Sequence, residues 1–467
     1  MKRLLVALAI VLAVPAVADA HVGSPDVFYE GDAGPYHLFV TVRVPQVIPG
    51  VATIEIRSSS PKLTGLAVVP MQLTGPGSQL PPTADPATRS VDDPQFFTAS
   101  LWLMERGSLQ VRITATGSRG EGVLAVPVPA VALRTLAMDR GLGGLLFGLM
   151  LLLALSLIAI VGAAVREATL PADAPRPSAR RGRIALALAS VVVAGIIAFG
   201  NWWWTAEADA YAKTVYQPWQ LEPKLDGCAL TVPARIGDLM EDHGHLMHLF
   251  LVRTPGLDQL AHLHPERSDN GDFVQVLPAL PAGHYQLFAD VVAGGGFPLT
   301  GVGEIDLPEH ACDRPSGDDT TWGGAALGTV TTNTAALDDD ANMIWDRPTT
   351  LRAGEALELQ FRVADHNGQP VTDLEAYMGM AAHAEIVRSD LSVFAHVHPD
   401  GSVAMPALEL ARGGMDMAHM PGMQTTGSIS AALKFPYGFP QPGMYRIFVQ
   451  VKRGGRIETA AFDARVR

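Results

Sequence analysis

The sequence predicts a mainly β protein, built of immunoglobulin-like β-sandwich domains and carrying two transmembrane helices. Short segments of alternating apolar and polar residues, broken by Pro, Gly and Ser, fill residues 21–135 and recur after residue 220. Two long uncharged apolar runs separate these regions. Alternation with a period of two is typical of half-buried strands, whereas uncharged runs of this length are typical of membrane spans.

The chain begins with the three parts of a secretory signal. Lys2 and Arg3 give a positive start, Leu4 to Val17 form an apolar stretch, and Ala18-Asp19-Ala20 provide a small-residue cleavage site. We therefore expect a signal peptide over residues 1–20 and a mature chain that begins at His21.

The next region, residues 21–135, reads as one β-sandwich domain. About six strands in a region of this length suggest an immunoglobulin-like arrangement. The predicted strands are Tyr36–Val44, Ala52–Arg57, Leu66–Leu73, Phe96–Met104, Leu109–Thr116 and Val123–Val128.

The two apolar runs, residues 141–165 and 184–204, contain no ionisable side chain and are long enough to cross a bilayer as helices. The loop between them, residues 166–183, carries five arginines against two acidic residues, which predicts a cytoplasmic loop. Both large regions then lie on the periplasmic or extracellular side of the inner membrane. Because neither run offers an inward-facing polar residue, they are predicted to be anchors rather than a transport path.

The charge is concentrated after the second run. Of the formal net charge of −13, residues 205–467 hold 34 acidic and 18 basic side chains, a net of −16. This balance argues against nucleic acid as a partner and favours bound cations. The two cysteines, Cys228 and Cys312, lie in this outer region, where a disulfide is expected; a thiol pair or a thiolate metal site remains the alternative.

An internal repeat organises residues 205–467 into two β domains, 205–312 and 341–467, joined by a linker over 313–340. Three pairs of segments align: His243–His248 with Met378–His383, Ala261–Glu266 with Ala395–Asp400, and Pro281–Phe288 with Gln441–Phe448.

The repeat places histidines in a pattern that suggests metal ligands. His262 and His264 share one face of a strand, and His248 begins a neighbouring strand. These three align with His383, His396 and His398, which predicts one metal site per repeat. At three other positions histidine exchanges with methionine, which suggests secondary ligands: His243, His245 and His284 align with Met378, Met380 and Met444. Both residue types bind copper, whereas zinc has little use for methionine.

Two further segments carry possible copper ligands. A methionine-rich stretch between Gly414 and Met423 lacks apolar periodicity and suits a loop that captures Cu(I); its ligands are Met415, Met417, His419, Met420 and Met423. At the mature N-terminus, the amine and imidazole of His21 would form a chelate if His37 lies near.

The second repeat resembles a known family. The run from Gly354-Glu355 through Tyr377-Met378-Gly379-Met380, His383 and Ala395-His396-Val397-His398-Pro399 resembles immunoglobulin-like domains of bacterial envelope proteins associated with copper handling, among them the YtkA-like and FixH-like domains. The start His21-Val22-Gly23-Ser24-Pro25 is similar to the mature start of CopC-like copper carriers. The resemblance covers the second repeat and, more faintly, the first. It implies a β-sandwich and a metal-linked envelope role, and no reaction.

The favoured hypothesis is a membrane-anchored copper-binding protein, not an enzyme, that buffers the ion or passes it to an efflux or assembly partner. One alternative is a structural or sensory ectodomain whose histidines are incidental. The other is an oxidative copper enzyme. The sequence gives it no support, because it contains no nucleophile elbow, cofactor loop or helical His-Glu-x-x-His motif.

Overall fold

The computed structural model describes residues 26–60, 63–166, 173, 179–234, 236–309, 319–324, 332–338, 340–413 and 429–467. The predicted signal peptide, His21, Cys312 and the methionine-rich stretch with Met415, Met417, His419, Met420 and Met423 lie outside these residues. The bond between Cys228 and Cys312 therefore stays a prediction. The chain divides into two compact units: residues 1–130 together with 217–467, and residues 131–216.

The N-terminal region forms two antiparallel sheets around one hydrophobic core. Their orders are β1-β2-β3-β7-β6 and β5-β4-β8-β9, and a 3₁₀ turn spans Pro76–Ser78. All six predicted strands are confirmed, and the immunoglobulin-like topology stays a prediction. The strands are β1 Val27–Ala33, β2 Tyr36–Arg43, β3 Gly50–Ser58, β4 Leu63–Gln72, β5 Asp85–Pro86, β6 Thr88–Arg89, β7 Phe96–Leu103, β8 Gly107–Gly117 and β9 Gly120–Ala130.

Residues 131–216 contain two long helices, α1 Arg140–Arg166 and α2 Ala179–Ala212. Both are long and apolar enough to cross a membrane, and their apolar windows are exposed within the chain. The predicted apolar runs are thus helical. Helix α2 continues past Trp204 to Ala212, within the stretch 205–220 that the sequence favours as a short amphipathic helix or a linker before the β signals resume.

The first repeat contains one large sheet and one small sheet packed on a shared core. In the large sheet the order is β10-β19-β18-β14-β15-β20, with β13 beside β18, and in the small sheet it is β11-β12-β17-β16. The strands are β10 Trp219–Gln220, β11 Lys224–Asp226, β12 Ala229–Val232, β13 Leu239–Met240, β14 His248–Thr254, β15 Gln259–Leu263, β16 Glu266–Arg267, β17 Phe273–Val276, β18 Gly283–Ala293, β19 Phe297–Leu307 and β20 Thr321–Gly324.

The second repeat has the same two-sheet plan, with orders β24-β28-β25-β26, where β29 also pairs with β28, and β21-β22-β23-β27. Strands β20 and β21 lie in the segment predicted as a linker, so this segment supplies an edge strand to each repeat. The remaining elements are β21 Thr334–Ala336, β22 Asn342–Trp345, β23 Leu357–Ala364, β24 Leu374–Glu375, β25 His383–Arg388, β26 Phe394–Val397, α3 Met405–Ala411, β27 Ala432–Tyr437, β28 Gly443–Arg453 and β29 Arg456–Val466.

The hairpins β14–β15 and β25–β26 occupy equivalent places in the two repeats, as the alignment predicts. The first strand of each begins with a histidine, opposite Asp290 in the first repeat and Gln450 in the second. Between the hairpins lies a buried apolar cluster in which the rings of Phe288 and Phe394 stack at 4.2 Å. The two repeats therefore share a hydrophobic interface beside their histidines.

The N-terminal domain also packs on the second repeat. Strand β1 pairs with the turn after His398: Glu30 N–H donates to the Asp400 carbonyl at 2.8 Å, and Ser402 N–H donates to the Phe28 carbonyl at 2.9 Å. Gly401 between them has φ 129°, and a Cβ there would lie 2.0 Å from the Phe28 carbonyl oxygen. Only glycine fits this contact.

Candidate metal centre

Eight histidines from the two repeats lie together at one end of the paired hairpins. Six of them form two groups, within each of which three ring nitrogens all lie within 4.8 Å of one another. The first group is His248, His262 and His264, and the second is His243, His383 and His398. His396 and His245 lie beside these groups.

Two matched turns set the membership of the groups. Residues 242–245 and 377–380 each form a tight turn with reciprocal backbone hydrogen bonds between the first and last residue. Both central residues are left-handed, with φ 54° and 83° for His243 and Gly244 and 49° and 79° for Met378 and Gly379, as a type I′ turn requires. A left-handed histidine is uncommon and costs free energy. This turn carries His243 out of its own repeat and into the histidines of the other.

In the first group, the nitrogens converge on one point. His262 Nε2 lies 3.0 Å from His248 Nδ1 and 3.3 Å from His264 Nε2. Three nitrogens bound at about 2 Å to one tetrahedral ion stand roughly 3.3 Å apart. His262 lies in β15 and His264 directly after its end, and their Nε2 atoms face each other.

The outer nitrogens of this group are held by hydrogen-bond acceptors. His248 Nε2–H donates to the Asp242 carbonyl at 2.9 Å, and His262 Nδ1–H donates to Gln450 Oε1 at 3.0 Å. Tyr377 Oη donates to the Asp319 carbonyl and lies 3.2 Å from His262 Nδ1, so it too accepts from this nitrogen. A neutral imidazole has one N–H. The facing nitrogens of His248 and His262 therefore both present lone pairs.

The second group has the same dimensions and fewer polar contacts. Its ring centroids lie 4.7 to 5.3 Å apart, with all three pairs of rings near perpendicular. Neither ring nitrogen of His383 has a hydrogen-bond partner among the described residues. Buried polar atoms nearly always have a hydrogen-bond partner, so an exception indicates that another partner, such as an ion, binds there.

Burial keeps these imidazoles neutral. It lowers the pKa of His243 and of His248 to about 4. Burial, reinforced by the neighbouring imidazoles, also lowers the pKa of the remaining members well below the usual value: His262, His264, His383, His396 and His398. A neutral ring is the form that binds a metal.

Three carboxyl groups stand beside the histidines: Glu385 is fully buried, whereas Asp242 and Asp290 are partly exposed. Asp242 lies 3.6 Å from His243 Nε2, Glu385 lies 3.6 Å from His262 Nδ1, and Asp290 approaches His396. Burial raises the pKa of Asp290 to about 7 and that of Glu385 well above its usual range. A cation in the cluster would favour the ionised form of these carboxyls.

His245 is the partly exposed member of the cluster. Its ring stacks on that of His264 with centroids 3.9 Å apart and an interplanar angle of 11°. It therefore lies between the first group and solvent.

Several predicted ligands are not brought to the cluster. His284 lies six residues along β18 from Asp290, about 20 Å away, where it is exposed and hydrogen-bonded to Asp306. Met444 occupies the matching place on β28, six residues from Gln450. Met380 is buried in the apolar core that the N-terminal domain shares with α3. His37 lies on β2 between Glu30 and Asp32.

Met378 remains near the cluster, on the turn equivalent to that of His243. The predicted second site of His383, His396 and His398 differs from the observed group, because His243 takes the place of His396. Sequence reasoning also missed the supporting residues Gln450, Tyr377, Asp290 and Glu385. Three of these residues gave a signal in the sequence, because each is a polar residue within an otherwise apolar part of a strand: Asp290 in β18, Glu385 in β25 and Gln450 in β28.

Comparisons with known proteins add a partial family match. Residues 335–467 match the family described as "Domain of unknown function (DUF8832)". No curated protein matches the chain.

Among solved structures, latent PorU from Porphyromonas gingivalis is 9% identical with a TM-score of 0.16, over 95% of this chain and 34% of its own. For alpha-2-macroglobulin from Escherichia coli the values are 12%, 0.16, 92% and 26%. For Salmonella alpha-2-macroglobulin reacted with methylamine they are 9%, 0.19, 95% and 23%. The chain thus spans about a third or less of these structures, and TM-scores this low do not establish a shared fold.

Proposed function

We propose that this chain is a membrane-anchored copper-binding protein of the bacterial envelope, which holds the ion in its histidine cluster and buffers it or passes it on. The observation that carries the proposal is the convergence of the first group. There, two lone-pair nitrogens face each other at 3.0 Å in a buried site.

Such an arrangement is unfavourable without a cation. Two lone pairs repel, and a buried polar atom without a partner costs about 1–3 kcal/mol. A proton is a poor occupant at neutral pH because burial holds the pKa of His248 near 4. A metal ion satisfies both nitrogens, while the outer nitrogens already have the acceptors that metal-bound histidines usually have.

Copper is favoured over other metals by the methionines. Imidazole alone suits copper, zinc, nickel and iron. Met378 replaces His243 at the turn of the second repeat, and the predicted loop with Met415 to Met423 adds thioethers, which favour Cu(I). Zinc is the competing occupant.

The envelope location rests on the two apolar helices and the predicted signal peptide. With the arginine-rich loop 166–183 in the cytoplasm, both β regions would face the periplasm. Bound copper would then be exchanged with a periplasmic efflux or assembly protein. The immunoglobulin-like topology of the sandwiches belongs to the same proposal.

The test is metal titration of the full chain in detergent. Cu(II), Cu(I) held reduced against a competing chelator, and Zn(II) are each compared in the parent, in a His248→Ala/His264→Ala variant and in His284→Ala. The double variant should lose the tightest copper, whereas His284→Ala should bind like the parent because His284 is exposed far from the cluster. Equal binding by all three proteins, or preference for zinc over both copper ions, would overturn the proposal.

A further inference from the structure

We infer that the two histidine groups form one dinuclear copper centre, in which His396 lies between the two ions as a shared ligand. This inference rests on the proposed function and deepens it. Two independent sites, one per repeat, are the alternative that the sequence suggests.

The first argument is that His396 is left over. By the repeat, it corresponds to His262, which belongs to the first group. In the second group, however, His243 has crossed over and supplies the third nitrogen. His396 is buried in the same place without belonging to either group of three.

The second argument is its central position. The His396 ring centroid lies 5.4 Å from His248 and 5.5 Å from His262 in the first group. It lies 5.4 Å from His383 and 4.7 Å from His398 in the second. These separations match those within each group. A neutral imidazole has one lone-pair nitrogen and one N–H, so it can bind two ions only after the N–H proton is lost. Binding of the second ion would therefore release this proton to solvent or to the Asp290 carboxylate, which lies 3.8 Å from Nδ1.

The third argument is that both ring nitrogens of His396 are available. Among the described residues, Nε2 has no hydrogen-bond partner. Nδ1 lies 3.8 Å from Asp290 Oδ2, which is too long for a hydrogen bond. Only 6% of the His396 side chain is exposed, and Nε2 is fully buried. This is the arrangement that a bridging ligand needs before its ions arrive.

The fourth argument is charge. Two copper ions would bring several positive charges into a buried region, which is costly unless they are compensated. The three nearby carboxyl groups come from different strands or turns. Glu385 stands beside His262 of the first group, Asp242 beside His243 of the second group, and Asp290 beside His396 between them. Their carboxylates can offset the charge of a pair of ions rather than of one.

The experiment is electron paramagnetic resonance during Cu(II) titration of the full chain in detergent. We expect the first equivalent to give a spectrum of isolated copper. At two equivalents the integrated intensity per copper should fall to less than half, because ions joined through one ligand couple. In His396→Gln, which keeps most of the volume and loses the bridge, the full intensity per copper should return.

His284→Ala is the matched control and should behave like the parent. Full intensity per copper in the parent at two equivalents would overturn the inference and leave copper binding intact. Loss of intensity that persists in His396→Gln would also overturn it, because the bridge would lie elsewhere. If no copper binds, the proposed function itself fails. Should His396→Gln not fold, as judged by circular dichroism, the parent titration alone decides.

Discussion

The two histidine groups have the same size and differ in what surrounds them. In the first, the outer nitrogens of His248 and His262 are fixed by a carbonyl, an amide and a phenol. In the second, His383 has no hydrogen-bond partner among the described residues at either nitrogen. The first group is therefore held ready for an ion, whereas the second can adjust its rings when an ion binds. We expect the first group to bind copper more tightly, and the second group to accept a wider range of coordination geometries around the ion.

Removing a ligand from each group tests this difference most directly. His248→Ala should weaken the tightest copper by more than about 100-fold, beyond the 10–100-fold typical of losing an outer partner. His383→Ala should spare that ion and remove the weaker one. Competition with chelators of known affinity measures both. Equal loss from the two variants would show that the groups are equivalent.

The outer partners should matter for the first group only. Gln450→Leu removes the acceptor that orients His262, and we expect about 10–100-fold weaker binding of the tightest copper. Gln360→Leu is the matched control, because Gln360 lies on an exposed strand position and bonds to Glu358. If both variants bind like the parent, the orientation of His262 does not depend on Gln450.

Acid should affect both groups through the same imidazoles. Their pKa is lowered on folding, so the unfolded chain binds more protons below pH 6.5, and the stability present above that pH is lost as the pH falls toward 4. The raised pKa of the carboxyls Asp242, Asp290 and Glu385 acts in the opposite direction. Seven imidazoles with a lowered pKa stand against these three carboxyls, so we expect a net loss of stability in acid.

Denaturant titration of the metal-free chain at several pH values measures this effect. The denaturant concentration at the unfolding midpoint should decrease as the pH is lowered from 6.5 to 4. A midpoint that rises over that range would mean that the carboxyls dominate.

The smallest effect concerns access. His245 stacks on His264 at the solvent side and is therefore the first imidazole that an incoming ion meets. Without it, in His245→Ala, copper should load several-fold more slowly, while the number of ions bound at equilibrium stays the same. Stopped-flow mixing with Cu(II) follows the rate. A change in stoichiometry instead of rate would make His245 a ligand of the centre.

Much of the fold could be predicted from alternation and apolar length. The strands of the N-terminal domain and the two long helices were found this way, and the hairpins that carry the histidines follow from the repeat. Strand β1 was not predicted, because Glu30, Gly31 and Asp32 interrupt its alternation of apolar and polar residues. Its partner, the turn at Gly401, lies far away in sequence.

The site could be predicted only in part, because alignment gives position along a strand and not distance from a neighbour. His284 and Met444 align well, yet both lie at the far ends of their strands. His243 aligns with Met378, and nothing in the alignment tells that its turn points into the other repeat. That crossing depends on how the two sheets pack, which is a property of the apolar interface around Phe288 and Phe394.

The contact between β1 and the second repeat delays the completion of folding in the N-terminal domain. Phe28 is fully buried in the core of the second repeat, beside Tyr437. About 400 residues separate the two in the chain, which at ~5–20 residues per second takes roughly 20–80 s. During that time Phe28 has no core to enter. The nascent N-terminal domain must therefore wait with an exposed aromatic edge, and a holding chaperone or a slow final docking step is expected in its maturation.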